Sequence, residues 1–541
     1  MEFTKKTIGD MFDETVELYP DKEALRFQGM GKTYRELQQN VNNLAKGLIK
    51  LGVQPGDKVA IWMPNYPEWI YANLAIAKIG AVTVPINIRF KTREIAYVLK
   101  NSGVTTLIMA EKFLTNNFAE MLNEICPEIR SSTGADIKTE ALPALRNVIS
   151  VEKMPRALHF DFVMESLGSG ELDKALKQRQ SAVKPDDVVN VFYTSGTTGS
   201  PKGAMADHNV LINIENYIKW LKITEHDVFL VPGPFFYTTA NYWCMLCPIM
   251  AGAKMCVATY FTMEEKFELI SREKVTIMVG MAKVWVDMVS YLKEHPHDTS
   301  SLRIGWTGGG PITTEDLEAI TKRVVPKMVN LYGMTETGGI TTMTKLGDPF
   351  DVLSSTIGRP LPNFELKIAD KETGISLPPG KPGELCVKGP YVIKGYLNMN
   401  KEEQSIYFDK EGWYHTQDIL VQHENGYYSF VGRIKDMIKV GGENVSLTEL
   451  DEFLQKHTKV KMASSIGVPD KAKQEVPLAF IEKKEGEDIS EREVIEYCKS
   501  KIASYKVPKY VRFVKEWPTT STGKIQKFRL KELVKSEFGV L

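Results

Sequence analysis

The sequence predicts an α/β protein: a large N-terminal domain of parallel-rich α/β subdomains with a β-rich subdomain at about 352–432, then a small α+β domain at the C-terminus. Three observations lead there. Strand and helix patterns alternate through the first hundred residues and again from about 188 to 344. Short strand patterns between Gly-Pro turns then replace them. With 541 residues, the chain is too long for one core.

In "TYRELQQNVNNLAKGLIKLG", residues Leu37, Val41, Leu44, Leu48 and Leu51 share one helical face. Thr33 and Glu36 form a capping box, and Gly52 is the expected stop. "KVAIWM" then reads as a buried strand, "PEWIYANLAIAKIG" as a helix, "AVTVPIN" as a strand, "TREIAYVLKNSG" as a helix and "TTLIMA" as a strand. Alternation at this spacing implies parallel β units with helices on both faces. Residues 121–182 are less periodic and read as long connections within the same domain. "FELKIAD", "GELCVKG" and "GYYSFVG" supply the strands of the β-rich part. The charged "RIKDMIKVGGEN" follows Gly432, and a domain joint is expected between Arg433 and Asp436, dividing the chain into 1–434 and 435–541. In the C-terminal part, Ser490 and Glu493 form a second capping box.

Composition excludes several classes. At 43% hydrophobic and 25% charged, the chain is globular rather than disordered or fibrous. Lys plus Arg and Asp plus Glu both number 68, so no global field attracts nucleic acid or an anionic membrane. The six cysteines are scattered, which fits reduced thiols in a cytoplasmic protein. Cys244 and Cys247 form a C-x-x-C inside the apolar "NYWCMLCPIM", with no second pair and no nearby His, so a buried structural pair is expected. The N-terminus shows no signal peptide. The most apolar region, 228–258, is interrupted by Pro232, Gly233, Pro234, Pro248 and Gly252, so no transmembrane segment is expected.

"YTSGTTGSPKG" (193–203) follows the apolar "VVNVF" and so leaves the end of a strand. Gly196, Gly199 and Gly203 let backbone N–H groups approach an anion. Thr194, Ser195, Thr197 and Thr198 add hydroxyl donors, and Lys202 adds a positive charge. This is a phosphate cradle by chemistry, but not a Walker loop, because Pro201 precedes Lys202 and Gly203 follows it.

With this loop the sequence resembles the adenylate-forming superfamily of acyl-CoA synthetases, luciferases and peptide-synthetase adenylation domains, and among these it is most like fatty-acid–CoA ligases. The other landmarks of that superfamily appear in order: "NLYGMTETGG" (330–339), "GWYHTQDI" (412–419), "GRIKDMIKVGGENV" (432–445) and "STGKIQK" (521–527). The resemblance covers essentially the whole chain and implies an AMP-forming ligase that joins a carboxylic acid to CoA through an acyl-adenylate, using ATP and Mg²⁺.

The resemblance also assigns roles. Glu336 is a hard oxygen ligand suited to Mg²⁺, with Thr194 as its partner, and Thr335 contacts the α-phosphate. The nucleotide contacts continue through Gly309, Gly310 and Pro311 of "WTGGGP", which follows the short strand "LRIG", and through Asn330, Leu331, Tyr332, Gly333 and Met334, with Tyr332 against adenine. Asp418 and Arg433 take the ribose hydroxyls. Lys202 is the charge of the phosphate cradle, and Lys524 bridges the attacking carboxylate and the α-phosphate and stabilises the charge that develops there. Lys524 sits far from the phosphate loop in sequence, on a small domain that moves between the two half-reactions with Lys435 as pivot. Lys439, Gly441, Gly442 and Glu443 then serve CoA. Tyr237, Gly308, Met281 and Gly338 fall at acyl-binding positions. Apolar "VGMAKVW" and "ANYW" fit an acyl tunnel and fit ordinary core equally well.

Three positions depart from the pattern. Tyr237 replaces a common His that gates the acyl and thiol channels, Gln417 stands where Gly usually precedes the ribose Asp, and Leu447 replaces a frequent Pro. The expected acid is a medium- or long-chain fatty acid. An aryl-carboxylate ligase, an enzyme loading a carrier protein and a non-catalytic acyl- or nucleotide-binding protein are the alternatives. The expected partners are small molecules, with a homodimer as the one self-association considered.

Overall fold

The computed structural model describes residues 5–165, 170–194, 201–259, 262–310, 312–440, 443–470, 473–499, 501–502, 504–519 and 525–538. They divide into two compact units: Met1–Glu365 with Lys388–Gly412, and Leu366–Val387 with Trp413–Leu541. Compactness thus groups about half of the β-rich part with the C-terminal residues, whereas the expected division fell at 434/435.

The first unit holds two large sheets among the described residues. In one, the strands run Lys202–Asp207, Val188–Thr194, Val82–Pro85, Lys58–Trp62, Val104–Met109, Asn147–Ser150 and Leu158–His159 in spatial order. All are parallel except the edge strand Lys202–Asp207. The other sheet has a parallel centre of Met328–Tyr332, Ile304–Gly308, Ile277–Val279, Val228–Val231, Lys254–Val257 and Glu23–Phe27. Antiparallel strands flank this centre at both ends.

The early elements form as the periodicity predicts. The helix Tyr34–Lys50 starts at Thr33, whose Oγ1 accepts from the Glu36 N–H at 3.2 Å while Glu36 Oε2 accepts from the Thr33 N–H at 2.8 Å. Such a cap contributes about 1 kcal/mol. Leu37, Val41, Leu44 and Leu48 are buried, Leu51 only partly so.

Two stretches differ from the sequence reading. Residues 121–182 are more than connections: Asn147–Ser150 pairs in parallel with Val104–Met109 and extends the sheet. Its four residues are all buried, so they show no alternation to detect. The helix Gly170–Ala182 buries only Leu176 and therefore lacks an apolar stripe. Polar contacts hold it instead, Arg179 Nη1 donating to Val53 O at 2.9 Å and Gln180 Nε2 to Asp13 Oδ2 at 2.8 Å.

The stretch 352–432 is not one β subdomain. Arg359–Pro360 closes an edge of the sheet that contains Met328–Tyr332. Residues 394–397 lie along the edge strand Lys202–Asp207, through Met205 N–H to Gly395 O at 3.0 Å, Lys394 N–H to Met205 O at 2.8 Å and Leu397 N–H to Gly203 O at 2.8 Å. The Lys394–Asp207 ion pair at 2.8 Å anchors this contact.

The remainder forms a four-stranded sheet, Glu365–Ala369, Pro382–Lys388, Tyr414–Gln422 and Tyr428–Arg433 in spatial order. The C-terminal part of the second unit is a five-stranded sheet with an apolar cluster on each face. Leu478 and Phe480 enter one cluster, and Ala479 and Ile481 the other, as strand alternation requires. Ser490 Oγ accepts from the Glu493 N–H at 3.2 Å, as the predicted cap requires. Among the described residues no helix is long and apolar enough to cross a membrane.

Candidate active site

The antiparallel pair Val188–Thr194 and Lys202–Asp207 sets Thr194 directly opposite Lys202. Ser195, Gly196, Thr197, Thr198 and Gly199, in the sequence between them, lie outside the described residues. Glu336 comes from the other sheet. The strand Met328–Tyr332 ends, the chain folds back, and a 3₁₀ turn at Thr335–Thr337 carries the carboxylate. Gly333 makes this fold possible, because a Cβ there would lie 1.7 Å from Gly339 O.

Strand end and turn meet at one point. Thr194 Oγ1 donates to Glu336 Oε1 at 3.1 Å, and the Tyr396 hydroxyl donates to the same oxygen at 3.2 Å. Glu336 is buried. Lys202 Nζ meets the Tyr407 hydroxyl and lies 4.5 Å from the centre of that ring and 5.9 Å from that of Tyr396. Thr335 Oγ1 lies 3.3 Å from Thr238 Oγ1. The structure thus brings together four residues of the sequence expectation, Thr194, Lys202, Thr335 and Glu336. A carboxylate beside a hydroxyl suits a hard divalent cation, and an ammonium held on aromatic faces suits a phosphate.

Tyr396 and Tyr407 were not foreseen. Tyr396 arrives on the segment that docks along Lys202–Asp207, and Tyr407 follows the short helix Lys401–Gln404; a tyrosine between Gly395 and Leu397 reads locally as core. Only the long-range pairing reveals it as a partner of Glu336.

Other expected residues are placed unevenly. The strand expected at "LRIG" runs instead over Ile304–Gly308, and it lies beside Met328–Tyr332 with Gly308 opposite Leu331. Gly309 follows at φ +74°, exposed like Gly310, while Pro311 lies outside the described residues. Tyr332 and Met334 are half-buried at the strand end. Asn330 and Leu331 turn their side chains into the fold. The Asn330 amide donates to Leu353 O and Thr356 O, each at 2.9 Å, and Leu331 is 4% exposed, which leaves only their backbone for a nucleotide. Gly338 is buried, its carbonyl accepting from Asn213 Nδ2 at 3.2 Å. Met281, expected at the acyl site, is 53% exposed and so walls no closed tunnel.

Tyr237 accepts from Asn87 Nδ2 at 3.3 Å, and burial pushes its phenol above the ordinary range, so it holds its proton at neutral pH. A His at this position would titrate there, and Tyr237 therefore cannot reproduce that chemistry. Cys244 and Cys247 are buried, and burial pushes the Cys244 thiol up to about 12. Neither joins a metal-ligand cluster among the described residues.

In the second unit, Asp418 and Arg433 are partners on adjacent strands, with Asp418 Oδ1 3.1 Å from Arg433 Nε. Asp418 is buried. Lys435 belongs to the 3₁₀ turn Ile434–Asp436, and Lys439 and Glu443 to the paired strands Met437–Val440 and Glu443–Ser446. The side chains of Lys435, Lys439 and Glu443, and the whole of Gly441, Gly442 and Lys524, lie outside the described residues. Leu447 proves a mild departure. It is the first residue of a helix whose N-cap Ser446 accepts from the Glu449 N–H at 3.2 Å, a position where Pro is favoured but never required.

Comparison with known proteins decides the family. A model of AMP-binding enzymes matches residues 12–397, and one of the AMP-binding enzyme C-terminal domain matches 449–524. The chain belongs to the AMP-binding enzyme family. A putative acyl-CoA synthetase, YngI of Bacillus subtilis (strain 168), is 34% identical over 98% of this chain and 97% of its own length. The medium-chain acyl-CoA ligase ACSF2, mitochondrial, of Homo sapiens is 33% identical over 97% of this chain and 87% of its own. Among solved structures, the anthranilate CoA ligase AuaEII in complex with anthranoyl-AMP superposes with a TM-score of 0.81, at 26% identity over 98% of both chains. The o-succinylbenzoate CoA synthetase MenE of Bacillus subtilis, with its acyl-adenylate intermediate, superposes with a TM-score of 0.79, at 25% identity over 98% of this chain and 99% of that one. This AMP-binding enzyme is an AMP-forming acid–CoA ligase that uses ATP, Mg²⁺ and CoA. The hydroxyl–carboxylate pair and the adjacent ammonium of its first unit fit the first two.

Proposed function

We propose that the protein converts a medium-chain carboxylic acid to its acyl-adenylate at the Thr194–Glu336–Lys202 cluster, and then to the CoA thioester. The observation that carries this reading is the 3.1 Å contact between Thr194 and Glu336, with Lys202 opposite Thr194 in the strand register. Glu336 and Thr194 hold Mg²⁺, which when bound neutralises charge on the phosphates. Lys202 draws the leaving pyrophosphate, and Thr335 orients the α-phosphate for attack by the acid. Asp418 and Arg433 receive the ribose. Residues 435–541 turn about Lys435 between steps, so that Lys524 serves adenylation and Lys439, Gly441, Gly442 and Glu443 serve thioester formation.

The medium-chain assignment draws on the ACSF2 relatives. The structural neighbours AuaEII and MenE act on aryl acids, so an aryl substrate is the competing reading. A panel from butyrate to palmitate with benzoate and anthranilate, read as AMP formation with and without CoA, decides between them. Turnover highest near octanoate and dependent on CoA is expected; benzoate or anthranilate exceeding every aliphatic acid overturns the chain assignment. Lys524→Ala should lose adenylation yet still form thioester from supplied acyl-AMP, and unchanged adenylation would remove the role given to Lys524.

A further inference from the structure

Gln417 holds a backbone conformation that its side chain disfavours. Its φ is +62°, in the left-handed region where glycine is the usual occupant. It sits inside a β-bulge. Glu384 is opposite Ile419 and Cys386 is opposite His415, so the single residue Leu385 faces Thr416, Gln417 and Asp418 together. The bulge re-aims the strand just before Asp418, as bulges beside functional residues do.

One buried carboxylate braces it. Glu384 Oε1 accepts from the Gln417 backbone N–H at 3.1 Å and from Gln417 Nε2 at 3.2 Å. Its other oxygen, Oε2, lies 2.9 Å from His415 Nδ1. Thr416 Oγ1 donates to Leu385 O at 2.8 Å and accepts from the Asp418 N–H at 3.1 Å, fixing the far side of the bulge. We infer that Glu384 is a positioning residue for the nucleotide: it holds Gln417 in the left-handed conformation and thereby aims Asp418 at the ribose. Hydrogen bonds to Cys386 and Glu384 push His415 up to about 10, so an imidazolium stands beside the Glu384 carboxylate at neutral pH. Glu384, Cys386 and His415 also offer cation-ligand atoms within 4.8 Å of one another, but both Glu384 oxygens already serve this hydrogen-bond network.

The inference rests on the assignment of Asp418 to ribose made under the proposed function. Its test is genetic compensation. Glu384→Ala should raise the KM for ATP about tenfold, with kcat and the KM for the acid changed less than about twofold. Adding Gln417→Gly should restore the KM for ATP, because glycine holds the left-handed conformation without support. Gln417→Gly alone should match wild type, whereas Gln417→Val, β-branched and hostile to that region, should raise the KM for ATP with Glu384 intact. Failure of Gln417→Gly to rescue Glu384→Ala, or a Gln417→Val enzyme with unchanged KM for ATP, overturns the inference. If Glu384→Ala does not fold, Glu384→Asp, whose carboxylate is withdrawn by one methylene from Gln417, takes its place in the same comparison with and without Gln417→Gly. If wild type forms no AMP, the proposed function falls, and the same order among variants is then read from calorimetric affinity for AMP.

Discussion

The two charged centres, Glu336 in the first unit and Asp418 in the second, stand in different local structures. Glu336 stands on a turn at the end of a parallel strand, where two hydroxyls donate to one of its oxygens. Asp418 stands inside an antiparallel pair, locked to Arg433 and framed by a second ionic contact, His415–Glu384. A buried carboxylate beside a hydroxyl offers hard oxygen atoms to a divalent cation. One paired with a guanidinium is oriented in advance and offers its remaining lone pairs to neutral hydroxyls. The first centre is suited to electrostatic stabilisation, and the second to fixing position.

This contrast sets the order of expected losses. Glu336→Gln keeps the shape and both hydroxyl contacts but removes the charge. It should lower the rate of pyrophosphate release by about 10²–10³-fold, the range seen when a preorganised electrostatic group is removed. A drop below tenfold would mean that the first centre, like the second, mainly positions.

Tyr396→Phe keeps the ring under Lys202 and deletes one donor to Glu336. A single hydrogen bond to a charged group is worth about 1.5–3 kcal/mol, so the KM for Mg·ATP or kcat should worsen by about 10–100-fold. Tyr407→Phe keeps the cation–π contact and should cost less than Tyr396→Phe. The reverse order would shift the emphasis from Glu336 to Lys202.

The two centres also differ in how far the sequence announces them. Thr194, Lys202, Thr335 and Glu336 lie in short motifs at strand ends, where glycines and hydroxyls concentrate, and the structure brings them together. Asp418 and Arg433 are likewise visible as residues. Their supports are not. Tyr396 reaches Glu336 through a contact across 60 residues. Glu384 reads as an ordinary strand carboxylate in "GELC" until the bulge is seen. The parallel sheets were legible because amphipathic helices punctuate them. Asn147–Ser150 was not, because a strand buried on both faces carries no period, and neither was Gly170–Ala182, because polar contacts dock it. Motifs mark the atoms proposed to meet the ligand, whereas the atoms that hold those in place are set by long-range register.

The last contrast concerns pH. His415 is raised to about 10 in the fold by its bonds to Cys386 and Glu384, against 6.5 as its ordinary value. The folded state therefore binds a proton more tightly than the unfolded chain does. The stabilisation is fully present below about 6.5, declines as pH rises and is gone once pH passes through about 10. His415→Gln should accordingly destabilise the second unit most near pH 6 and very little near pH 10, as measured by urea unfolding across that span. A difference between wild type and His415→Gln that stays constant from pH 6 to pH 10 would show that the Glu384–His415 contact is not ionic. The support for the second centre would then rest on neutral hydrogen bonds.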